Sequence, residues 1–380
     1  MERDATTTHL DWTTIEEVLP PEWRDLASDM KLVRPNLPAH MGTKVKDIAP
    51  ILRLVMYQVA RNTALLGATA AFSAAQILTI SAVALHKWQK KIGPYLGTLV
   101  SLMVAESHRV FAPERWAGFE VCAVDASCVQ RPGSKGTTAR VHRAIRLADL
   151  AVKEAQVTDD TGGESLRRFH PEPGELWIGD RGYANPPGIA WCDQRGAKVL
   201  IRYNRGSLPL YDEAGRVFDV QGKLEHLVSA GRCRQWTVFV HPQKAPRIKG
   251  RLCAVRLPSD KAQEARERLR KEEGPQVSEQ SLQMAEFVVV FTTVAESSLS
   301  CEQILELYSA RWQIELDFKR DKSITGLDKL PNFLPETILS WIYAKLLLQQ
   351  IVRRLSTPQA SIPPCAIECA LCPPTTAVAA

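Results

Sequence analysis

Glu315 stands in the stretch "ELYSARWQIELDFKRDK" (306–322), with Tyr308, Arg311 and Lys322 at fixed distances from it. At roughly 100° per residue, counted from Tyr308, these four fall near 0°, −60°, −20° and −40°, so a helix would align them in one narrow stripe. Two further carboxylates sit where predicted strands end. Asp125 closes the apolar run of "GFEVCAVDASCVQ", and Asp180 follows "LWI" in "GDRGYA", beside a Gly that lets the backbone come close to a ligand. Either aspartate alone has a plainer reading, since an Asp at a strand end often just caps a turn. Three carboxylates around one cavity repel one another unless cations neutralise them. Hard oxygen donors select Mg²⁺ or Mn²⁺, which keep waters and accept phosphate oxygens. Two such ions, about 4 Å apart, activate a water and stabilise a leaving 3′ oxygen in an in-line displacement at phosphorus.

The elements that must position these groups can be read from pattern. Beside the polar stripe runs an apolar one, Ile304, Leu307, Ala310, Ile314 and Phe318, which would seat a single helix on a core. Residues 1 to about 110 read as helical, with a Thr/Glu capping pattern near the start and His86, Lys87, Lys90 and Lys91 on one face. Strand signals then take over. "GFEVCAVDASCVQ", "TARVHRAIRLADL" and "AVKEAQVTDD" read as three strands, and "GELWIGDRGYANPPGIAWCDQRGAKVLIRYNR" as strand, loop, short helix, strand. From 208 to 295 the chain turns β-rich: "RQWTVFVHP", "RIKGRLCAVRLP" and "AEFVVVFTTV" are predicted strands, with the charged helix "SDKAQEARERLRKEEG" among them. The helix of Glu315 follows, then a second, "PETILSWIYAKLLLQQIVRRL". The final "STPQASIPPCAIECALCPPTTAVAA" lacks amphipathic periodicity and reads as a poorly structured tail.

The 380 residues, 45% hydrophobic, suffice for several packed units, and the net charge of +6 is modest. Its distribution is more telling. Arg131, Lys135, Arg140, Arg143 and Arg146 occur between Asp125 and Asp149 with no acidic residue among them. Arg232, Arg234, Lys244, Arg247, Lys249, Arg251 and Arg256 do the same between Glu225 and Asp260. Such tracts suggest a polyanion partner. The N-terminus has no apolar signal region, and no uninterrupted apolar span reaches the roughly 18 residues of a membrane helix. Nine scattered cysteines suit a reducing cytosol, and Cys365, Cys369 and Cys372 fall short of a four-ligand zinc set.

The motif Tyr-x2-Arg-x3-Glu-x6-Lys at 308–322, "AVDAS" around Asp125 and "GDRGYA" around Asp180 resemble the DDE transposases of bacterial cut-and-paste insertion sequences, in particular the insertion-sequence-four family. "TGGESLRRF" (161–169) also resembles the segment that precedes the second Asp there, and the likeness runs from about 15 to 356. The resemblance implies an α/β fold: an RNase H-like core, a mixed sheet with flanking helices, interrupted by a β-rich insertion. It implies a helical N-terminal region for DNA ends (1–112), a core in two parts (113–207 and 296–356) around the insertion (208–295), and a tail (357–380). Asp125, Asp180 and Glu315 are the implied catalytic and Mg²⁺ or Mn²⁺ ligands. Tyr308, Arg311, Lys322 and Arg181 are the implied DNA contacts. Trp312 and Trp236 are candidates for stacking on an unpaired base, while Trp312 could equally pack in the core. The implied partners are duplex DNA, at terminal inverted repeats and at the target, and a second copy in a paired-end dimer. The implied setting is the bacterial cytoplasm, on the nucleoid.

One departure stands out. The family continues past the last long helix into helices that pair protomers, whereas this order ends in the proline-rich tail. Two other readings therefore stay open: a DNA-end-binding, transposition-defective truncated copy, and an RNase H-like nuclease or resolvase.

Overall fold

The computed structural model describes residues 12–33, 46–105, 116–133, 136–274, 276–330 and 335–356. The tail from 357, the three cysteines within it and Lys135 lie outside the described residues. Five helices come first: α1 (Trp12–Val18), α2 (Trp23–Asp29), α3 (Ala49–Arg61), α4 (Leu65–Ala74) and α5 (Ala82–Ala105). In α5 the buried Leu85, Trp88, Ile92, Tyr95, Leu99 and Met103 recur every three or four residues, so one stripe faces the core. Lys87, Lys90 and Lys91 are left on its exposed side.

The middle of the chain builds β1 (Glu120–Val129), β2 (Ala139–Arg146), β3 (Val152–Asp159), β4 (Glu175–Gly179), α6 (Pro186–Asp193) and β5 (Lys198–Arg202). Then come α7 (Val220–Glu225), β6 (Cys233–Val240), β7 (Ile248–Arg256), α8 (Ser259–Glu273), α9 (Glu279–Ala285) and β8 (Phe287–Thr292). Three helices come last among the described residues: α10 (Cys301–Ser309), α11 (Trp312–Ile324) and α12 (Pro335–Ser356). All eight strands form one mixed sheet in the order β3-β2-β1-β4-β5-β8-β7-β6. β1, β2 and β3 are an antiparallel meander, whereas β4 runs parallel to β1 and β5 parallel to β4. The β-rich stretch does not make a sheet of its own: β8 pairs antiparallel with β5, and β7 and β6 extend the edge.

Alternation along the strands sends residues to two cores. Val121, Ala123, Val141, Ile145 and Ile178 join α3, α5, α10, α11 and α12 on one face. Cys122, Val124, Trp177, Val199 and Phe291 pack on the other with Ile189 of α6. The N-terminal helices are thus welded to the sheet through α5, which packs along α12 and over β3. No helix among the described residues is long and apolar enough to cross a membrane.

The single helix expected around Glu315 is two. α10 ends at Ser309 and α11 starts at Trp312. Across the joint the Ala310 N–H reaches only back to Leu307 O and the Arg311 N–H to Tyr308 O, three residues rather than four. That tighter turn sets Tyr308 and Arg311 nearly one above the other. The apolar stripe survives the joint, with Ile304, Leu307, Ala310, Ile314 and Phe318 all buried.

Candidate active site

The two aspartates are brought level by the sheet. Ala123 of β1 is the register partner of Ile178 in the parallel β4, and each aspartate lies two residues further along. Asp180 directly follows β4, but Asp125 is not at a strand end as expected, since β1 goes on pairing with β2 as far as Val129. Asp125 keeps the face of Val121 and Ala123, towards α11, which packs on β1. Its Oδ1 accepts from the Ala126 N–H at 2.8 Å. Asp180 does cap a turn, the 3-10 turn Arg181–Tyr183, its Oδ1 accepting from the Gly182 N–H at 2.8 Å. In each carboxylate the second oxygen takes no hydrogen bond among the described residues. Burial, then Asp180 and Glu315, push the Asp125 carboxyl up to about 6, against the pull of Ala126 N–H and Arg311.

Glu315 comes to this pair on the first turn of α11. Its Oε1 takes the Arg311 Nη2 at 2.5 Å. Burial works against the charge on Arg311, but Tyr308, Glu315 and Asp125 hold the guanidinium protonated. Tyr308 is buried (9% exposed), with the guanidinium 5.9 Å from its ring. Arg311 Nε is buried with no hydrogen-bond partner among the described residues. An arginine expected to grip DNA therefore sits among the carboxylates, partly neutralising them. Lys322, two turns on, is half-buried and has no hydrogen bond or ion pair among the described residues.

What fixes α11 against β1 is a buried ionic clamp. Arg143 lies directly opposite Asp125 on β2 and is 0% exposed. Its Nη1 donates to Asp317 at 2.6 Å and to Asp321, its Nη2 to Gln349 at 3.0 Å, and the guanidinium stacks 4.7 Å from the Phe318 ring. Arg353 of α12 closes the set on Asp317. The basic tracts thus need correcting. Arg143 and Arg146 (5% exposed) are internal, the latter paired with Asp149 at 2.9 Å. Arg251 donates to the Val294 and Leu299 carbonyls, and Arg256 pairs with Glu286. Arg232, Arg234, Lys244, Arg247 and Lys249 keep the exposure that polyanion binding needs.

The remaining residues divide by location. Trp312 opens α11 and is 48% exposed, so it is not a core residue; Lys319 Nζ lies 4.3 Å from its ring. Arg181 is exposed beside Asp180. Trp236 is not brought to the carboxylates. It stands on edge strand β6, five strands from β1, or roughly 24 Å at about 4.8 Å per strand. There it packs towards Phe218 and lines a cavity of about 220 Å³ with Lys223, His226, Leu227 and Arg234.

Three site residues were not foreseen. Arg202, at the end of β5, lies in the field of Tyr308, Arg181 and Arg311. Tyr183 is wholly buried behind Asp180. Glu164 reaches the same place from the loop after β3; burial, then Asp180 and Asp125, raise its carboxyl to about 7. The segment holding Glu164 carried a signal in "TGGESLRRF", but nothing in that string marked its carboxylate as inward.

A family described as "Transposase DDE domain" matches residues 116–347. The chain belongs to the DDE transposases. It is 29% identical over 330 residues to the transposase for insertion sequence element IS421 of Escherichia coli, covering 84% of this chain and 88% of that one. It is 28% identical over 237 residues to the transposase for insertion sequence element IS231B of Bacillus thuringiensis subsp. berliner, covering 58% and 49%. Among solved structures, a piggyBac transposase synaptic complex with hairpin DNA aligns over 92% of this chain and 80% of that one, at 8% identity and a TM-score of 0.41.

For this transposase, the second oxygens of Asp125 and Asp180, with Glu315 in the same electrostatic neighbourhood, are hard oxygen donors of the kind divalent cations prefer. A second acidic group, Glu120, Cys122 and Glu175, is already closed. Glu175 there accepts from the Lys153 ammonium, the Glu172 N–H and Trp177 Nε1.

The raised carboxyl of Asp125 has a consequence for stability. Between its ordinary 3.8 and about 6 the native state holds a proton that the unfolded chain has lost. The group's stabilising share is therefore full below pH 4 and is lost as pH rises through 6. In EDTA, Asp125→Asn should melt above the wild type by a margin that widens between pH 4 and 6, and millimolar Mg²⁺ should shrink that margin. Melting curves across that range check it; a margin independent of pH contradicts it.

Proposed function

We propose that this transposase cuts and joins DNA at the ends of an insertion sequence, with Asp125, Asp180 and Glu315 as the ligands of Mg²⁺ or Mn²⁺ on an RNase H-like core. The observation that carries this reading is the placement of two aspartates at the same level, one within β1 and one just past the parallel β4, under a helix that delivers a third carboxylate. The strand order β3-β2-β1-β4-β5, with β1 to β3 antiparallel and β4 and β5 parallel to β1, supports that core. Bound divalent cations supply charge for the water nucleophile and the leaving 3′ oxygen. The protein's own groups do the rest.

Asp125 and Asp180 are fixed by backbone N–H bonds to one oxygen, which leaves the other available to a cation. Arg311 is poised to exchange Glu315 for a phosphate, which its planar fork can take bidentately. Lys322 offers a point charge along the same helix, Arg181 one beside Asp180, and exposed Trp312 a face for an unpaired base. Exposed Lys87, Lys90 and Lys91 on α5 suit the helical region to duplex DNA at the terminal repeats, two protomers holding two ends on the bacterial nucleoid.

The test uses labelled duplex taken from the flanks of the gene. With Mg²⁺ the protein should nick one fixed phosphate at the element end, leaving a 3′ hydroxyl, and should do nothing in EDTA. Cutting scattered along the duplex would point instead to a nuclease.

A further inference from the structure

Glu164 is placed as no surface carboxylate needs to be. Its Oε2 fills the spot where a Cβ on Gly182 would stand, 1.8 Å from that position, and Asp180 Oδ1 is 3.2 Å from the same position. The two carboxylate oxygens are therefore no more than about 5 Å apart. Gly182 has no left-handed φ to explain it, so the missing side chain serves space: any larger residue would evict Glu164. Glu164 forms no hydrogen bond and no ion pair among the described residues, and Arg140 is the cation within electrostatic reach.

A second observation points to the same spot. Tyr183 is 0% exposed, and its Oη has no hydrogen-bond partner among the described residues. That hydroxyl lies in the field of Glu164, Asp125 and Asp180, in that order, with Arg168 opposing. A buried phenol without a partner costs about 1–3 kcal/mol. A water held by a cation between these carboxylates would give it one.

We propose that Glu164 is a fourth carboxylate of the metal centre, binding a divalent cation together with Asp180, with Tyr183 Oη bonded to a water of that cation. The proposal rests on the reading of Asp125 and Asp180 as metal ligands. It gives the second cation a ligand of its own. It also explains why a glycine follows Asp180 by two positions and why an unpaired glutamate is tolerated beside two aspartates. The donor set, all hard oxygens, is that of Mg²⁺ or Mn²⁺ and not of a soft metal.

Mn²⁺ titration followed by electron paramagnetic resonance on the purified full chain reads the site without DNA or turnover. The proteins are the wild type, Glu164→Gln, Asp125→Asn and Glu213→Gln, an exposed carboxylate elsewhere. Glu164→Gln keeps shape and removes a repulsion, so it should fold, and melting curves verify that. The expected result is at least tenfold weaker binding, or loss of one ion, in Glu164→Gln, with Glu213→Gln matching the wild type. Tyr183→Phe should weaken binding less than Glu164→Gln does. Unchanged Mn²⁺ uptake by Glu164→Gln while Asp125→Asn loses it overturns the role of Glu164 and leaves the three-carboxylate reading standing. Unchanged uptake in both, or none by the wild type at millimolar Mn²⁺, overturns both.

Discussion

Arg143→Met should cost about 3–5 kcal/mol of folding stability, because it leaves Asp317 and Asp321 buried with less countercharge. Both aspartates are 3% exposed, and Arg353, the other cation on Asp317, is partly open to solvent. The charge matters more than the contact. Replacing the whole clamp with apolar groups, Arg143→Met with Asp317→Leu and Asp321→Leu, should recover much of the loss, since well-packed hydrophobic residues often match a buried ion set. Arg353 can then turn its charge to water. Denaturant unfolding of the single and triple variants measures both effects, and a single variant as stable as the wild type would contradict the clamp. A functional corollary follows from where the clamp sits: it anchors α11 beside β1, so the triple variant should fold yet cut DNA more slowly if Glu315 loses its register.

Glu315→Gln, Asp125→Asn and Asp180→Asn should each lower excision of a marked element from a reporter plasmid by about a thousandfold or more. Each substitution keeps the shape of the side chain and removes the charge that holds a cation. Metal stabilisation of the transition state is worth several kcal/mol, and each 1.36 kcal/mol is tenfold in rate. In Asp125→Asn and Asp180→Asn the lost negative charge also relieves the crowding that raises Asp125, so these two should be no less stable. Glu315→Gln instead gives up the ion pair with Arg311, and its melting curve must be taken alongside. Excision within tenfold of the wild type in any one of the three would remove that residue from the metal-binding set.

Much of this site could be read from the sequence because its carriers are local. β1 and β4 announce themselves as apolar runs, and Asp180 directly follows β4 at a turn, but Asp125 lies in the middle of β1, because pairing with β2 carries that strand on to Val129. The rest depends on distant partners. That "RQWTVFVHP" and "RIKGRLCAVRLP" are strands is a local fact; that β6 and β7 extend the core sheet is set by β8 pairing with β5. The joint between α10 and α11 contains no Gly or Pro, so nothing in the letters breaks the helix. Arg143 read as a DNA contact because a buried arginine is rare and its partners lie 174 and 178 residues away. A clue was present in α11: counted from Tyr308, Asp317 and Asp321 fall near 180° and −140°, against an apolar stripe of roughly −40° to −160°. Two like charges at i and i+4 beside an apolar face call for a buried cation.

The most direct test of the carboxylate assignment separates binding from cutting on one DNA. Wild type, Asp125→Asn, Asp180→Asn and Glu315→Gln are each mixed with labelled end duplex. Affinity is read by gel shift, and single-turnover nicking is read after Mg²⁺ is added. Asp125, Asp180 and Glu315 acting as metal ligands predict that all four proteins bind the duplex within a few-fold of one another and that only the wild type cuts it, and only with the cation present. Nicking by Glu315→Gln at the wild-type rate, or wild-type nicking that persists in EDTA, would contradict it.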